Sequence, residues 1–179
     1  MKKFKILFRE TLLDSPYCPI EKHIVELPRG GTTEWFVNTS SDAVIVIPIT
    51  KTGEVILQKS YKHGGGEIVI EFCAGLVDKL EVLLHAARRE LREETGYIGK
   101  HFTKIGEVFA NPTGSSMKYH FFLASGCVYS GAQKLDESEQ IEVLKVKNME
   151  AARKLLTDPK TKTSSATMAG LAFTMKNGE

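Results

Sequence analysis

The chain has 179 residues, enough for one domain with a sizeable core. Its 24 Lys and Arg stand against 22 Asp and Glu, a formal net charge of +2, a balance that argues against nucleic acid or a membrane surface as a partner. Cys18, Cys73 and Cys127 form neither a CxxC metal pattern nor an even disulfide set, which points to a reducing, cytoplasmic setting.

No apolar run approaches the length of a membrane span. The basic, apolar start is interrupted by Arg9 and Glu10 before it reaches the length of a signal-peptide core. In chain order, period-two patterns predict strands at 4–8, 23–27, 34–38, 43–48, 55–59, 68–72, 105–109, 119–124 and 141–147. Helical periodicity predicts helices at 83–95, 149–156 and 165–175. Lys51-Thr-Gly53 reads as a hairpin turn between two apolar strands. The glycines Gly64, Gly65 and Gly66 lack the GxxxxGK[ST] pattern of a phosphate loop and read as a second hairpin connection. Strands outnumber helices, which supports an α+β sandwich with a mixed sheet.

The helix at 83–95 carries the most information. At 100° per residue from Leu83, Glu90 falls at about −20°, Glu94 at about +20° and Glu93 at about −80°, while Leu83, Ala87, Leu91 and Leu84 span about 0° to 100°. Glu90 and Glu94 therefore lie beside or within the apolar stripe, where a carboxylate is costly unless something neutralises it. His85, Arg88, Arg89 and Arg92 sit between about 140° and 240°, the face for solvent or ion pairs. The plainer alternative is a solvated helix in which Arg and Glu four residues apart add a few tenths of a kcal/mol. Hard divalent cations such as Mg²⁺ take oxygen ligands and bind through a few carboxylates plus substrate phosphates, which suits three glutamates on adjacent turns. Gly96 is placed to cap the helix C-terminus and Gly75 to permit a tight loop before it. With no Ser, Thr or Asn just before Leu83, acidic character near the helix start falls to Asp78 or Glu81.

Gly75, five residues, Glu81, seven residues, then Arg89-Glu-Leu-Arg-Glu-Glu-Thr-Gly96-Tyr97 meets every fixed position of the Nudix box, with Tyr97 an aromatic version of its last apolar position. From about 43 to 147 the chain resembles the Nudix ADP-ribose pyrophosphatases and related nucleoside diphosphate sugar hydrolases. Glu71-Phe-Cys-Ala-Gly75-Leu-Val-Asp78 resembles that group's lead-in, and Pro112, sixteen residues beyond Gly96, falls at its marker proline. Gln58-Lys-Ser-Tyr61-Lys62 resembles the segment whose Arg contacts substrate phosphate. The departures are Lys62 for that Arg, Cys73 for a Pro, and Leu80 for the Gly that commonly precedes Glu81; Leu80 is expected to change the loop's shape.

The resemblance implies a Nudix-type α/β/α sandwich with a mixed β-sheet over 40–179, and N-terminal strands over 1–39 that form a small sheet used in a homodimer. It implies hydrolysis of the diphosphate of a nucleoside diphosphate sugar with Mg²⁺, or alternatively Mn²⁺, with ADP-ribose going to AMP and ribose 5-phosphate as first expectation. Glu90, Glu94 and Glu93 would ligate the metal, with the carbonyl of Ala74 joining them. Arg89 would be the ion-pair partner that fixes the helix. The base would be Glu139, from the acidic segment at 136–143, with Glu137 and Glu93 as alternatives. Lys62 would grip phosphate, and Trp35 and Tyr61 are the aromatics for base or sugar. Two other readings are a Nudix hydrolase of another diphosphate, such as GDP-mannose, and a non-catalytic ADP-ribose sensor, for which a broken box would be expected.

Overall fold

The computed structural model describes residues 2–131 and 133–176, so Met1 and the end of the expected 40–179 domain lie outside the described residues. The strands are β1 (Lys5–Leu13), β2 (Ile20–Glu26), β3 (Thr32–Asn38), β4 (Ala43–Thr50), β5 (Val55–Lys62), β6 (Glu67–Glu71), β7 (Cys73–Leu76), β8 (Tyr97–Ile98), β9 (His101–Phe109), β10 (Lys118–Tyr129) and β11 (Ile141–Val146). The helices are α1 (Leu83–Thr95), α2 (Met149–Leu156) and α3 (Ser165–Lys176). Two compact units emerge: one runs to Asp42 and takes in 108–118, and the other holds 43–107 and 119 onward.

The first unit is built on an antiparallel sheet with β2 between β1 and β3. Gly30 and Gly31, at φ +89° and +83°, make the β2–β3 turn that few other residues could adopt. β1 is an edge strand, and all nine of its residues are exposed. The segment Asn111-Pro-Thr-Gly114 closes a turn in which the Gly114 amide donates to the Asn111 carbonyl at 3.1 Å.

The second unit is an eight-stranded mixed sheet with the order β11-β5-β4-β10-β8, in which β6 pairs β5, β7 pairs β4 and β9 pairs β10. β4 and β10 run parallel, and β5, β7 and β11 pair antiparallel with their neighbours. The apolar run of β4 is buried from Ala43 to Pro48 because helices cover both sheet faces. Val44 and Val46 pack with Ala86, Ala87 and Leu91 of α1. On the opposite face, Ile47, Phe72 and Phe121 meet Gly170 of α3 closely enough that a Cβ there would be 3.3–3.5 Å from them. α2 packs on β5 and β11, and begins with the Asn148 side chain accepting from the Ala151 amide at 2.9 Å.

Both α1 and α2 have the bounds that periodicity predicts, and α3 runs one residue further. The differences lie in strands where apolar alternation is interrupted. β7 and β8, of four and two residues, are too short to carry a periodic signal. β10 continues past Ala124 to Tyr129 because a register shift between Ala124 and Cys127, with Gly126 at φ +65°, lets pairing resume after Ser125-Gly126. β1 outruns its expected end at residue 8 as a strand with no buried face.

Leu80 has a left-handed backbone, at φ 68°, and is 96 % exposed. This left-handed backbone places strain on an L residue with no packing to offset it. Leu80→Gly is therefore expected to raise the unfolding free energy by about 0.5–1 kcal/mol in urea titration. A stability equal to or below wild type would refute the strain.

Candidate active site

α1 is held at its C-terminus by Gly96 at φ 71°, whose amide donates to the Arg92 carbonyl. Its N-terminus follows Val82 with no side-chain cap. Glu81 acts just upstream instead, accepting the Asp78 amide at 3.1 Å.

Arg89 organises this region through all five of its N–H donors. Nε and Nη2 form a fork to the two Glu81 oxygens at 3.0 and 2.7 Å. Nη2 also donates to the Leu76 carbonyl at 3.0 Å. Nη1 reaches Glu90 at 2.6 Å and Glu93 at 3.5 Å. The fork to Arg89 holds the Glu81 carboxyl below its ordinary range.

Glu90 and Glu94 are both buried on the packed face of α1. Gly75 makes room for the first: a Cβ there would lie 2.0 Å from the Glu90 carboxyl carbon. Glu94 accepts the Ala74 amide at 2.9 Å and the Gln58 side-chain amide at 3.3 Å. Burial pushes the Glu94 carboxyl up to about 7. Burial also raises Glu90, against the opposing pull of Arg89. Among the described residues no group of three His, Cys, Asp or Glu is drawn together as a metal-ligand set.

Other residues singled out from the sequence fall in different surroundings. Lys62, at the end of β5, is ion-paired with the buried Glu71 at 2.6 Å and lies close enough to Glu94 to favour its ionised form. Tyr61 alternates to the other face of β5, where its hydroxyl lies 3.3 Å from His63 Nδ1, so the strand does not bring it to Lys62. Trp35 belongs to the first unit, where Nε1 donates to the Thr113 carbonyl at 2.7 Å and its ring meets Phe4 edge-on.

The segment after β10 is fastened to α1 by Gln133 Nε2 on the Glu94 carbonyl and the Lys134 amide on the Glu93 carbonyl, each at 2.8 Å. This brings Glu139 into electrostatic range of Glu90. The Glu139 carboxylate accepts the Asp136 amide at 2.9 Å, while Glu137 is exposed on the same turn. The basic face of α1 lines a separate cavity of about 350 Å³ through His85, Arg88, Arg89 and Arg92. Gln58, Ser60 and Glu71 join this site without being marked out by the sequence, since Lys59 breaks the alternation of β5 and Glu71 lies on another strand.

The NUDIX domain matches residues 39–167. An ADP-ribose pyrophosphatase of Bacillus subtilis (strain 168) is 32% identical over 153 residues, covering 85% of this chain and 82% of the relative. The chain belongs to the NUDIX family. It is thus a Nudix hydrolase, a group that generally uses a divalent metal. A GDP-mannose pyrophosphatase of Klebsiella pneumoniae is 33% identical over 122 residues, or 65% of this chain and 57% of that one. The crystal structure of an ADP compounds hydrolase superposes with a TM-score of 0.84 at 25% identity, covering 98% of this chain and 94% of the other. The α+β sandwich expected from the sequence is the fold of this relative.

The raised Glu94 value has a sign that can be tested. Between 4.5 and about 7 the folded protein keeps a proton that the unfolded chain has released, so stability falls as pH rises through that window. In chelator-treated protein, wild type is expected to lose about 2–3 kcal/mol more across this window than Glu94→Gln. Equal slopes for the two proteins in urea titrations would remove burial of an ionisable Glu94 as their cause.

Proposed function

We propose that this protein cleaves the diphosphate of nucleoside diphosphate sugars with Mg²⁺, ADP-ribose to AMP and ribose 5-phosphate being the first substrate to test. The observation that carries the reading is the pair of buried carboxylates, Glu90 and Glu94, on the helix that Arg89 braces. Arg89 and Lys62 are the cations contacting this group, against Glu71, Glu81, Glu90, Glu93 and Glu94. That excess of hard oxygen donors, with burial pushing one of them up to about 7, suits a divalent ion such as Mg²⁺ or Mn²⁺. Glu90, Glu94 and Glu93 would hold it, with Ala74 bordering them. When bound, such an ion neutralises diphosphate charge and acidifies the attacking water.

The remaining chemistry falls to the chain itself. Glu139 is the base assigned to take the water's proton, supported by its electrostatic reach to Glu90, with Glu93 and Glu137 as the competitors. Arg89 is a positioning residue, since its five donors are taken up by Glu81, Glu90, Glu93 and the Leu76 carbonyl. Lys62 supplies a point charge for a phosphate oxygen. Trp35 and Tyr61 remain candidates for contact with base or sugar.

A panel of nucleoside diphosphate sugars, including ADP-ribose and GDP-mannose, assayed with Mg²⁺ for phosphate released after phosphatase coupling, tests the activity and its specificity together. Cleavage of ADP-ribose ahead of the others is expected. Preference for GDP-mannose would install the alternative substrate, and binding of ADP-ribose without cleavage would favour the sensor. Glu94→Gln is expected to lower turnover by orders of magnitude in a folded protein. Glu139→Gln should depress kcat more than KM, and loss in Glu137→Gln alone would move the base by two residues.

We also propose a cytoplasmic homodimer. The three cysteines are free, which suits a reducing compartment. No described helix is long and apolar enough to cross a membrane. The edge strand β1 exposes Phe4's neighbours Ile6, Leu7, Phe8, Leu12 and Leu13, a row that in water invites a second copy. Light scattering on a sizing column should return about twice 19.9 kDa. A mass of one chain at micromolar concentration would end the dimer proposal.

A further inference from the structure

β5 carries a polar row on one face. Gln58 and Ser60 are buried and Lys62 is half exposed, two residues apart along the strand, and Gln58 Nε2 on Glu94 shows that this face looks to the C-terminal part of α1. On the neighbouring strand β6, Glu71 is only 4% exposed. A single oxygen of Glu71, Oε1, accepts the Ser60 hydroxyl at 2.7 Å and the Lys62 ammonium at 2.6 Å.

A buried carboxylate persists only when paired, and here its partner is the half-exposed end of a lysine. The pairing acts on Lys62 as much as on Glu71. A free lysine stem samples many rotamers, and the Glu71 contact removes much of that freedom before any ligand arrives. An ammonium has three donors, so one directed to Glu71 leaves two for ligand oxygens. Ser60 fixes the carboxylate in turn, through a short hydroxyl contact made inside the sheet.

Resting on the diphosphate reading above, we propose that Glu71 is a positioning residue for substrate binding, holding the Lys62 ammonium beside the α1 carboxylates so that it meets a phosphate oxygen already oriented. Glu71 acts through Lys62 and touches neither the water nor the scissile bond. Removing it frees the lysine and weakens binding without altering the chemistry of a bound substrate.

The test is a double-mutant cycle on binding of ADP with Mg²⁺, measured by calorimetry on wild type, Glu71→Ala, Lys62→Ala and the double variant. Glu71→Ala is expected to weaken ADP five- to tenfold, Lys62→Ala at least as much, and the double variant no more than twofold beyond Lys62→Ala alone. Glu71→Gln keeps an oxygen that can accept from Ser60 and Lys62, and should recover most of the loss. On whichever nucleotide sugar is cleaved, Glu71→Ala should raise KM while kcat stays within about twofold. If Glu71→Ala does not fold, Ser60→Ala replaces it, with a two- to fivefold loss that vanishes in the Lys62→Ala background. Wild-type affinity in Glu71→Ala, losses that multiply in the double variant, or a fall in kcat at constant KM would each overturn the assignment. A wild type that binds ADP but cleaves no nucleotide sugar sinks the proposed activity and leaves the binding cycle to decide on Glu71. A wild type that binds no ADP overturns both.

Discussion

Two carboxylates buried on one face of a helix are the constraint around which the larger unit is arranged. An unpaired ionised carboxylate in an apolar interior costs several kcal/mol even after relaxation, so Glu90 and Glu94 can stay on the packed side of α1 only if the strands beside it supply compensation. They do so by different means. Glu90 is paired with Arg89 and given space by the missing Cβ of Gly75. Glu94 receives the Ala74 amide and the Gln58 side chain. Compensation for Glu94 is incomplete, as its elevated proton affinity records.

Arg89 explains why the spacing of the box spans both a loop and a helix. Its guanidinium clamps Glu81 and the Leu76 carbonyl on the incoming loop and Glu90 and Glu93 on its own helix. The planar fork matches the two Glu81 oxygens, and a lysine at this position could not make that bidentate contact. Glu81 is therefore an acceptor for Arg89 and the Asp78 amide, which accounts for a box glutamate upstream of the helix.

Much of this was legible in the sequence. Helical rotation alone puts Glu90 and Glu94 with Leu91 and Ala87, and those four are buried together. The strand expected at 43–48 is β4, which α1 and α3 cover on its two faces. What could not be read were features set by pairing partners distant in sequence. Glu71 appeared only as part of a lead-in to the box, because its burial depends on Ser60 and Lys62 across a hairpin. The left-handed backbone of Leu80, flanked by the contacts of Asp78 and Glu81, is one that a leucine adopts at a cost and that its side chain does not announce. β7 and β8 are strands by virtue of what they pair with, since Cys-Ala-Gly-Leu and Tyr-Ile carry no periodicity of their own.

Lys62, proposed to stand where the resembled segment carries an Arg, draws its setting from the same neighbourhood. An arginine fork would spread five donors beside a buried carboxylate whose Oε1 already accepts from Ser60. A compact ammonium can sit against that oxygen and keep its remaining donors free, at the cost of the two-point grip a fork gives to a phosphate. Orientation that a guanidinium carries in its own plane is here supplied by the sheet, through Ser60 and Glu71. The substitution thus shifts the burden of pre-organisation from the side chain to its surroundings, and it makes a buried residue of β6 matter to a charge at the surface of the site.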